Sequence, residues 1–234
     1  RESDTGKWYC WGALGFPHYS ADEHSETGKL VGFDKLPGST RDLAIASSGS
    51  ICVVQTTNKL YCWGLDSFEQ LGNGNDGTTE TCAGNIPCQT TPIEIDLGES
   101  DARKIRAGKN NYCVTTDNDE TLCWGANNDN KNGLIISDAV QLDAPNAFDA
   151  EVLNNVSVAD VRLGHTFGCT LSGEGKIYCY GSNDKGQVGQ DPASTTDECA
   201  DACQRSPKLI AASPDSTESP HFIGLQSGAD FAAH

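Results

Sequence analysis

The 234 residues carry 33 Asp plus Glu against 16 Lys plus Arg, a formal net charge of −17 at pH 7, with 37% hydrophobic and 21% charged residues. That charge repels phosphate backbones, whose binding rests on Lys and Arg displacing counterions, so nucleic acid is not an expected partner. No apolar run approaches the roughly 20 residues of a membrane-crossing helix, so membrane insertion is not expected either.

Eleven cysteines and no methionine sharpen the picture. Thiols in such number fit an oxidising compartment, where they pair, and the expected location is secreted, extracellular or cell-surface. A chain without Met does not start at an initiator, so Arg1 is expected to follow a processing or excision point.

Taken in chain order, the first element is Arg1 to Gly12, with Asp4-Thr5-Gly6 as a turn and Trp8-Tyr9-Cys10-Trp11-Gly12 as the strand after it. His18 and His24 follow with carboxylates between them and no third metal ligand, which reads as loop. Cys52 to Gly64 (CVVQTTNKLYCWG) then repeats the opening pattern in full, and Cys113 to Gly125 (CVTTDNDETLCWG) and Cys169 to Gly181 (CTLSGEGKIYCYG) align with it without gaps. Each reads as two short strands around a polar centre: Thr56-Thr57-Asn58, Asp117-Asn118-Asp119 and Gly173-Glu174-Gly175. Such centres suit a three-residue hairpin turn, in which Gly, Asn or Asp accepts positive φ at little cost. Three strand residues on each side place the two cysteines opposite one another, about 4.5–5.5 Å apart and within disulfide range. The expected pairs are Cys52 with Cys62, Cys113 with Cys123, and Cys169 with Cys179.

Between these hairpins lie loops. Asn73 to Gly77 and Asn127 to Gly133 are rich in amides and acids, but neither ends in the Glu of an EF-hand loop, so they read as turns rather than calcium sites. Cys82 with Cys88, and Cys199 with Cys203, occupy matching inter-repeat loops, each ahead of a proline, Pro92 and Pro207, and read as loop-pinning disulfides. A zinc site from these four lacks convergent spacing. Asn155-Val156-Ser157 is an N-glycosylation pattern at Asn155. His165 sits beside a Gly at a repeat position and needs no catalytic role. Near the end, Gly228 to His234 resembles the approach to a first cysteine, so 227–234 is expected to complete the blade begun at 1–12. Cys10 is left odd, unpaired in this chain or paired between chains.

The four Cys-Trp-Gly-type units, at Cys10, Cys62, Cys123 and Cys179, are separated by 52, 61 and 56 residues. That period, with several short strands per unit, predicts an all-β fold of propeller or solenoid type with scarce helix. One aromatic follows each second cysteine: Trp11, Trp63, Trp124 and Tyr180. An aromatic at one register in every repeat is expected to pack between blades.

After the Trp-Gly strand end, Leu65 to Gly72 (LDSFEQLG) and Ser182 to Gly189 (SNDKGQVG) resemble the regulator-of-chromosome-condensation repeat, in a cystine-rich variant. The resemblance implies β-propeller blades of four-stranded antiparallel sheets, four repeats in all. They would form a closed four-blade ring, part of a larger ring, or an array. The approximate repeats are 1–45, 46–106, 107–162 and 163–226 of a single domain. The loops at 13–17 and 127–133 depart from the Gly-Gln-Leu-Gly pattern.

No nucleophile elbow, zincin helix, phosphate loop or paired catalytic carboxylate is present, so no catalytic residue, metal or cofactor is assigned and no enzyme is expected. The expected function is an extracellular interaction or structural module that presents propeller loops to a protein partner or to copies of itself in a surface assembly or fibre. The alternative is a secreted monomeric binding protein for an enzyme or a glycan.

Overall fold

The computed structural model describes residues 10–12, 25–29, 38–74, 80–82, 85–127, 141–147, 157–194, 203–210, 226–227 and 232–233. Among them the fold is built of antiparallel strands, with one short 3-10 turn at Pro192–Ser194.

Two two-stranded pairs stand at the chain ends: β1 (Cys10–Gly12) with β2 (Ser25–Lys29), and β16 (Gln226–Ser227) with β17 (Ala232–Ala233). The expected joining of the two ends in one blade falls largely outside the described residues.

Three blades lie between. The first contains β3 (Thr40–Ala46), β4 (Ser50–Gln55), β5 (Leu60–Leu65), β6 (Glu80–Cys82) and β7 (Ile86–Ile95), in the spatial order β3-β4-β5-β7-β6. The second contains β8 (Ala102–Ala107), β9 (Asn111–Thr116), β10 (Thr121–Ala126) and β11 (Gln141–Ala147). The third contains β12 (Val158–Leu163), β13 (Phe167–Ser172), β14 (Ile177–Ser182) and β15 (Cys203–Leu209). In both, sheet order follows chain order. Sequence repeats and sheets are out of phase by one strand, because the stretch 46–106 ends with β8, the inner strand of the next sheet.

The hairpin at the centre of each blade follows from its turn. Asn58, Asp119 and Gly175 hold the third turn position at φ of 67°, 63° and 78°. Short polar residues and glycine are the ones that accept this left-handed conformation. The turns hold Val54 opposite Leu60 and Cys52 opposite Cys62, with the same register in the other two blades.

The strand after each turn ends in an aromatic-glycine pair for a steric reason. Gly64, Gly125 and Gly181 have φ of 108°, 89° and 102° at the bulge against the outer strand. A Cβ there would lie 2.4 Å from the Gly49 carbonyl oxygen, 2.4 Å from that of Asn110 and 2.6 Å from that of Thr166. Any other residue would collide with the neighbouring strand.

Every residue of β4, β9 and β13 is buried. A half-exposed strand alternates apolar and polar residues, so full burial means that both faces of the sheet are covered, as in blades stacked side by side. β3, β8 and β12 run beside one another at the inner edge. One apolar core passes from Val54, Leu60 and Leu71 of the first blade, through Ile105, Tyr112 and Trp124 of the second, to Val161 and Tyr180 of the third.

Candidate functional site

Three surfaces result: the end of the blades that carries the hairpin turns, the opposite end that carries the loops after β5 and β14, and the inner edge.

At the hairpin-turn end, each turn is tied to the segment that leads into its own blade. Thr56 N–H donates to the Ser39 carbonyl at 2.8 Å, Asp117 N–H to Asp101 at 2.9 Å, and Gly173 N–H to Ser157 at 2.8 Å. Neighbouring blades are joined there as well. Ala102 N–H donates to the Asn58 carbonyl at 2.9 Å, and Asn58 Nδ2 donates to Asp101 Oδ2 at 3.2 Å. Arg41 donates to Asn58 Oδ1 at 2.6 Å and to the carbonyls of Ala102 and Arg103 at 2.5 and 3.0 Å. Along this end stand the exposed carboxylates of Asp96, Glu99, Asp117, Asp119 and Glu120 and the partly exposed Asp101, with the guanidiniums of Arg41 and Arg103 among them. Arg103 meets Asp119 at 3.3 Å. Asn118 Nδ2 bridges Ser100 Oγ and Glu120 Oε2 at 2.9 and 3.0 Å, which fixes the tip of the second turn. The surface is a held, net-negative ridge.

At the opposite end, the loop after the third strand is shaped by two side chains that act on its own backbone. Gln70 Oε1 accepts from Phe68 N–H at 2.8 Å, and Gln187 Oε1 accepts from Lys185 N–H at the same distance. Asp66 Oδ1 accepts from Leu71 N–H at 2.9 Å, where Asn183 Oδ1 accepts from Val188 N–H at 3.2 Å. Gly72, at φ 72°, lies against the neighbouring blade: a Cβ on it would sit 2.6 Å from the Trp124 ring. Trp124 Nε1 donates to the Gln70 carbonyl at 2.9 Å.

At the inner edge, Arg106 of β8 meets Asp42 of β3 at 3.2 Å and Asp160 of β12 at 3.1 Å, and Asp160 also takes Arg162 at 2.8 Å. Asp42 Oδ2 accepts the backbone N–H of Ile105 at 3.0 Å. Burial and the adjacent Arg106 guanidinium both lower the Arg162 pKa from its ordinary value. One arginine thus spans three blades.

The predicted residues fall as follows. Disulfides join Cys52 to Cys62, Cys113 to Cys123 and Cys169 to Cys179, each with a Cα separation of 4.1 Å, and Cys82 to Cys88 at 5.9 Å. Cys203 is disulfide-bonded. Cys199 and Asn155 lie outside the described residues, as do the side chains of Cys10 and Trp11. Trp63, Trp124 and Tyr180 are buried. Trp124 stacks on Tyr112 with ring centroids 5.8 Å apart. Among the described residues, no group of three His, Cys, Asp or Glu side chains is placed to hold a metal ion.

Sequence reading missed Tyr112 and the common register of three prolines, of which it noted Pro92 and Pro207 only as following the loop cysteines. Tyr112 hydroxyl takes the Ala46 N–H at 3.1 Å and pairs with Ser50 Oγ at 3.0 Å, across the blade boundary. Pro92, Pro145 and Pro207 each precede the outer-strand residue that opposes the second cysteine, namely Ile93, Asn146 and Lys208. The bulge there leaves room for a residue without an N–H, and on β11 and β15, which end their sheets, a proline so placed blunts the edge.

No protein-family model matches the chain. It is 22% identical over 232 residues to the E3 ubiquitin-protein ligase HERC2 of Mus musculus, which covers 95% of this chain and 4% of that protein. It is 30% identical over 113 residues to the secretion-regulating guanine nucleotide exchange factor of Bos taurus, 44% of this chain and 24% of that one. Among solved structures, yeast RCC1 (Prp20) bound to Kap60 superimposes with a TM-score of 0.73 at 16% identity, over 96% of this chain and 48% of that one. Human WBSCR16 superimposes with a TM-score of 0.73 at 14% identity, over 97% and 54%. The structural likeness speaks for the fold, and the chain spans about half or less of the length of each of these proteins.

Proposed function

We propose that this chain, which belongs to the β-propeller family built from regulator-of-chromosome-condensation repeats, is a protein-binding module that docks a basic partner surface on the hairpin-turn end of its blades, in an oxidising, extracellular or cell-surface setting. The observation that carries this reading is the ridge formed by Asp96, Glu99, Asp101, Asp117, Asp119 and Glu120. Hydrogen bonds from Asn58, Asn118 and Arg41 hold it in place. A pre-ordered surface loses less conformational entropy on binding than a mobile one, and a single-sign field raises the association rate of an oppositely charged partner.

Protein binding is the property that the related structures carry by name: yeast Prp20 is bound to Kap60 in one, and its binding to Gsp1p and histones is the subject of another. The oxidising setting rests on the nine cysteines held in disulfides among the described side chains. Prolines at the outer-strand bulges disfavour recognition by strand addition, which leaves the blade ends as the contact surface.

The test is binding of the oxidised chain to an immobilised Lys/Arg-rich peptide, with Asp117→Lys, Asp119→Lys and Glu120→Lys combined. Saturable binding that weakens with salt and falls at least about tenfold in the triple variant is expected. Binding unaffected by charge reversal would refute the assignment of the surface. Thiol titration of the chain recovered from its native source tests the compartment, where reactive thiols at these nine positions would overturn it.

A further inference from the structure

A buried Asx side chain stands three residues after the aromatic at the end of the third strand in each blade: Asp66, Asn127 and Asn183, all under 4% exposed. In the third blade this side chain works with both ends. Asn183 Oδ1 accepts from Val188 N–H at 3.2 Å, and Nδ2 donates to the Gln190 carbonyl, seven residues on, at 3.2 Å.

The first blade has Asp where the other two have Asn. Asp66 Oδ1 makes the corresponding bond to Leu71 N–H at 2.9 Å. Its Oδ2, which stands in place of the amide nitrogen, is buried without a hydrogen-bond partner. A carboxylate only accepts, whereas the corresponding atom of the third blade, Asn183 Nδ2, donates; a protonated carboxyl would supply the same donor. The counterpart of the Gln190 carbonyl, again seven residues on, is that of Asn73.

On balance the surroundings of Asp66 favour the neutral form. Its own N–H is taken by the Pro87 carbonyl of β7 at 2.8 Å, an uncharged contact. Across the blade boundary the loop meets a neutral group, the Trp124 indole of β10, which bonds the Gln70 carbonyl. Glu69 in the same loop repels a second negative charge, and Asp143 of β11, whose carbonyl accepts Gly74 N–H at 2.7 Å, acts on Glu69 in the same sense. Burial, followed by the Glu69 charge and against the Leu71 N–H, pushes the Asp66 carboxyl up to about 6 from its ordinary 3.8.

We propose that Asp66 is a proton-operated latch: protonated, its Oδ2 donates to the Asn73 carbonyl as Asn183 Nδ2 does to Gln190, and so ties down the Gln70–Gly72 segment on which Trp124 of the next blade rests. The folded-state pKa is the higher one, so the latch is fully engaged below the ordinary carboxyl value near 3.8 and is lost as pH rises through about 6. The inference does not depend on the partner proposed above.

The experiment is amide hydrogen exchange at Leu71 and Gly72 in the full oxidised chain between pH 3.5 and pH 7.5, corrected for intrinsic exchange rates, in the parent, Asp66→Asn and Asn183→Asp. In the parent, local opening should increase up to about 100-fold across that interval, the ratio implied by a carboxyl that titrates near 6 instead of 3.8. In Asp66→Asn it should stay at the low-pH level throughout, and Asn183→Asp should transfer the same pH dependence to Val188 in the third blade. General relief of charge repulsion on acidification affects parent and Asp66→Asn alike, so their difference isolates the latch. Equal pH dependence in the parent and Asp66→Asn would overturn the proposal. Should a variant fail to fold, NMR titration of the parent's Asp66 carboxyl carbon decides: a midpoint near 6 supports the latch, and one at or below about 4 overturns it.

Discussion

Tyr112 illustrates how one side chain joins two blades. Its ring is fully buried against Trp124, and its hydroxyl reaches across to Ala46 and Ser50 of the preceding blade. Burial, partly offset by those hydrogen bonds, raises its pKa far above the usual phenol range, so it stays a neutral donor-acceptor at any pH the fold survives. Tyr112→Phe leaves the Ala46 N–H buried without its partner, a loss of about 1–3 kcal/mol. Urea denaturation should read this as a lower midpoint with an unchanged slope. An unaltered midpoint would mean that another acceptor had replaced the hydroxyl. The recurring aromatics after the second cysteine are visible in the sequence because they recur. Tyr112 is not, since its counterparts before the first cysteine are Ile51 and Gly168. A role filled once in three repeats leaves no periodic trace. Asp66 is hidden for a related reason: Asp and Asn look alike as turn residues, and only burial separates an amide that satisfies both its ends from a carboxylate that does not.

Among the elements, the hairpin was the most legible. Its cysteine spacing and polar centres depend on local geometry alone, and the bulge glycines appear as the Trp-Gly signature. The outer strands were the least legible, because loops of different lengths displace them, and the common placement of Pro92, Pro145 and Pro207 emerges only from register. The disulfides also differ by element. The six cysteines of the hairpin pairs are 0% exposed, whereas Cys82, on the added edge strand β6, is partly exposed. Thiol-disulfide exchange requires access to sulfur, so a mild reductant acting on the folded chain should open Cys82–Cys88 before the hairpin disulfides. Alkylation followed by mass mapping over time would display the order, and simultaneous loss of all four described bonds would indicate that global unfolding limits reduction.

For the whole molecule, the repeat period and loop chemistry lead to the propeller architecture, which rests on local patterns copied along the chain. What joins the copies is less regular. Arg106 spans three inner strands, yet the equivalent positions opposite the first cysteines are Ala44 and Arg162, so no alignment of repeats singles it out. Its side chain and those of Asp42 and Asp160 are 22%, 28% and 15% exposed, sheltered enough for removal of the cation to leave two poorly solvated carboxylates. Arg106→Met should cost about 1–3 kcal/mol, below the range for fully buried pairs because water still reaches the site. Calorimetry would detect it as a lower, broader transition if the blades lose cooperativity, whereas an unchanged transition would show the network to be energetically neutral.

The hairpin disulfides have a further consequence for survival among proteases. Each one bridges the two strands just behind an exposed turn, as Cys113–Cys123 does behind Asp117 to Asp119. A cut at that turn severs the polypeptide but not the blade, since the two new ends remain covalently joined and fully paired in the sheet. Such a nicked molecule would keep its shape and its acidic ridge's foundations, and the damage would become visible only when the cystines are reduced.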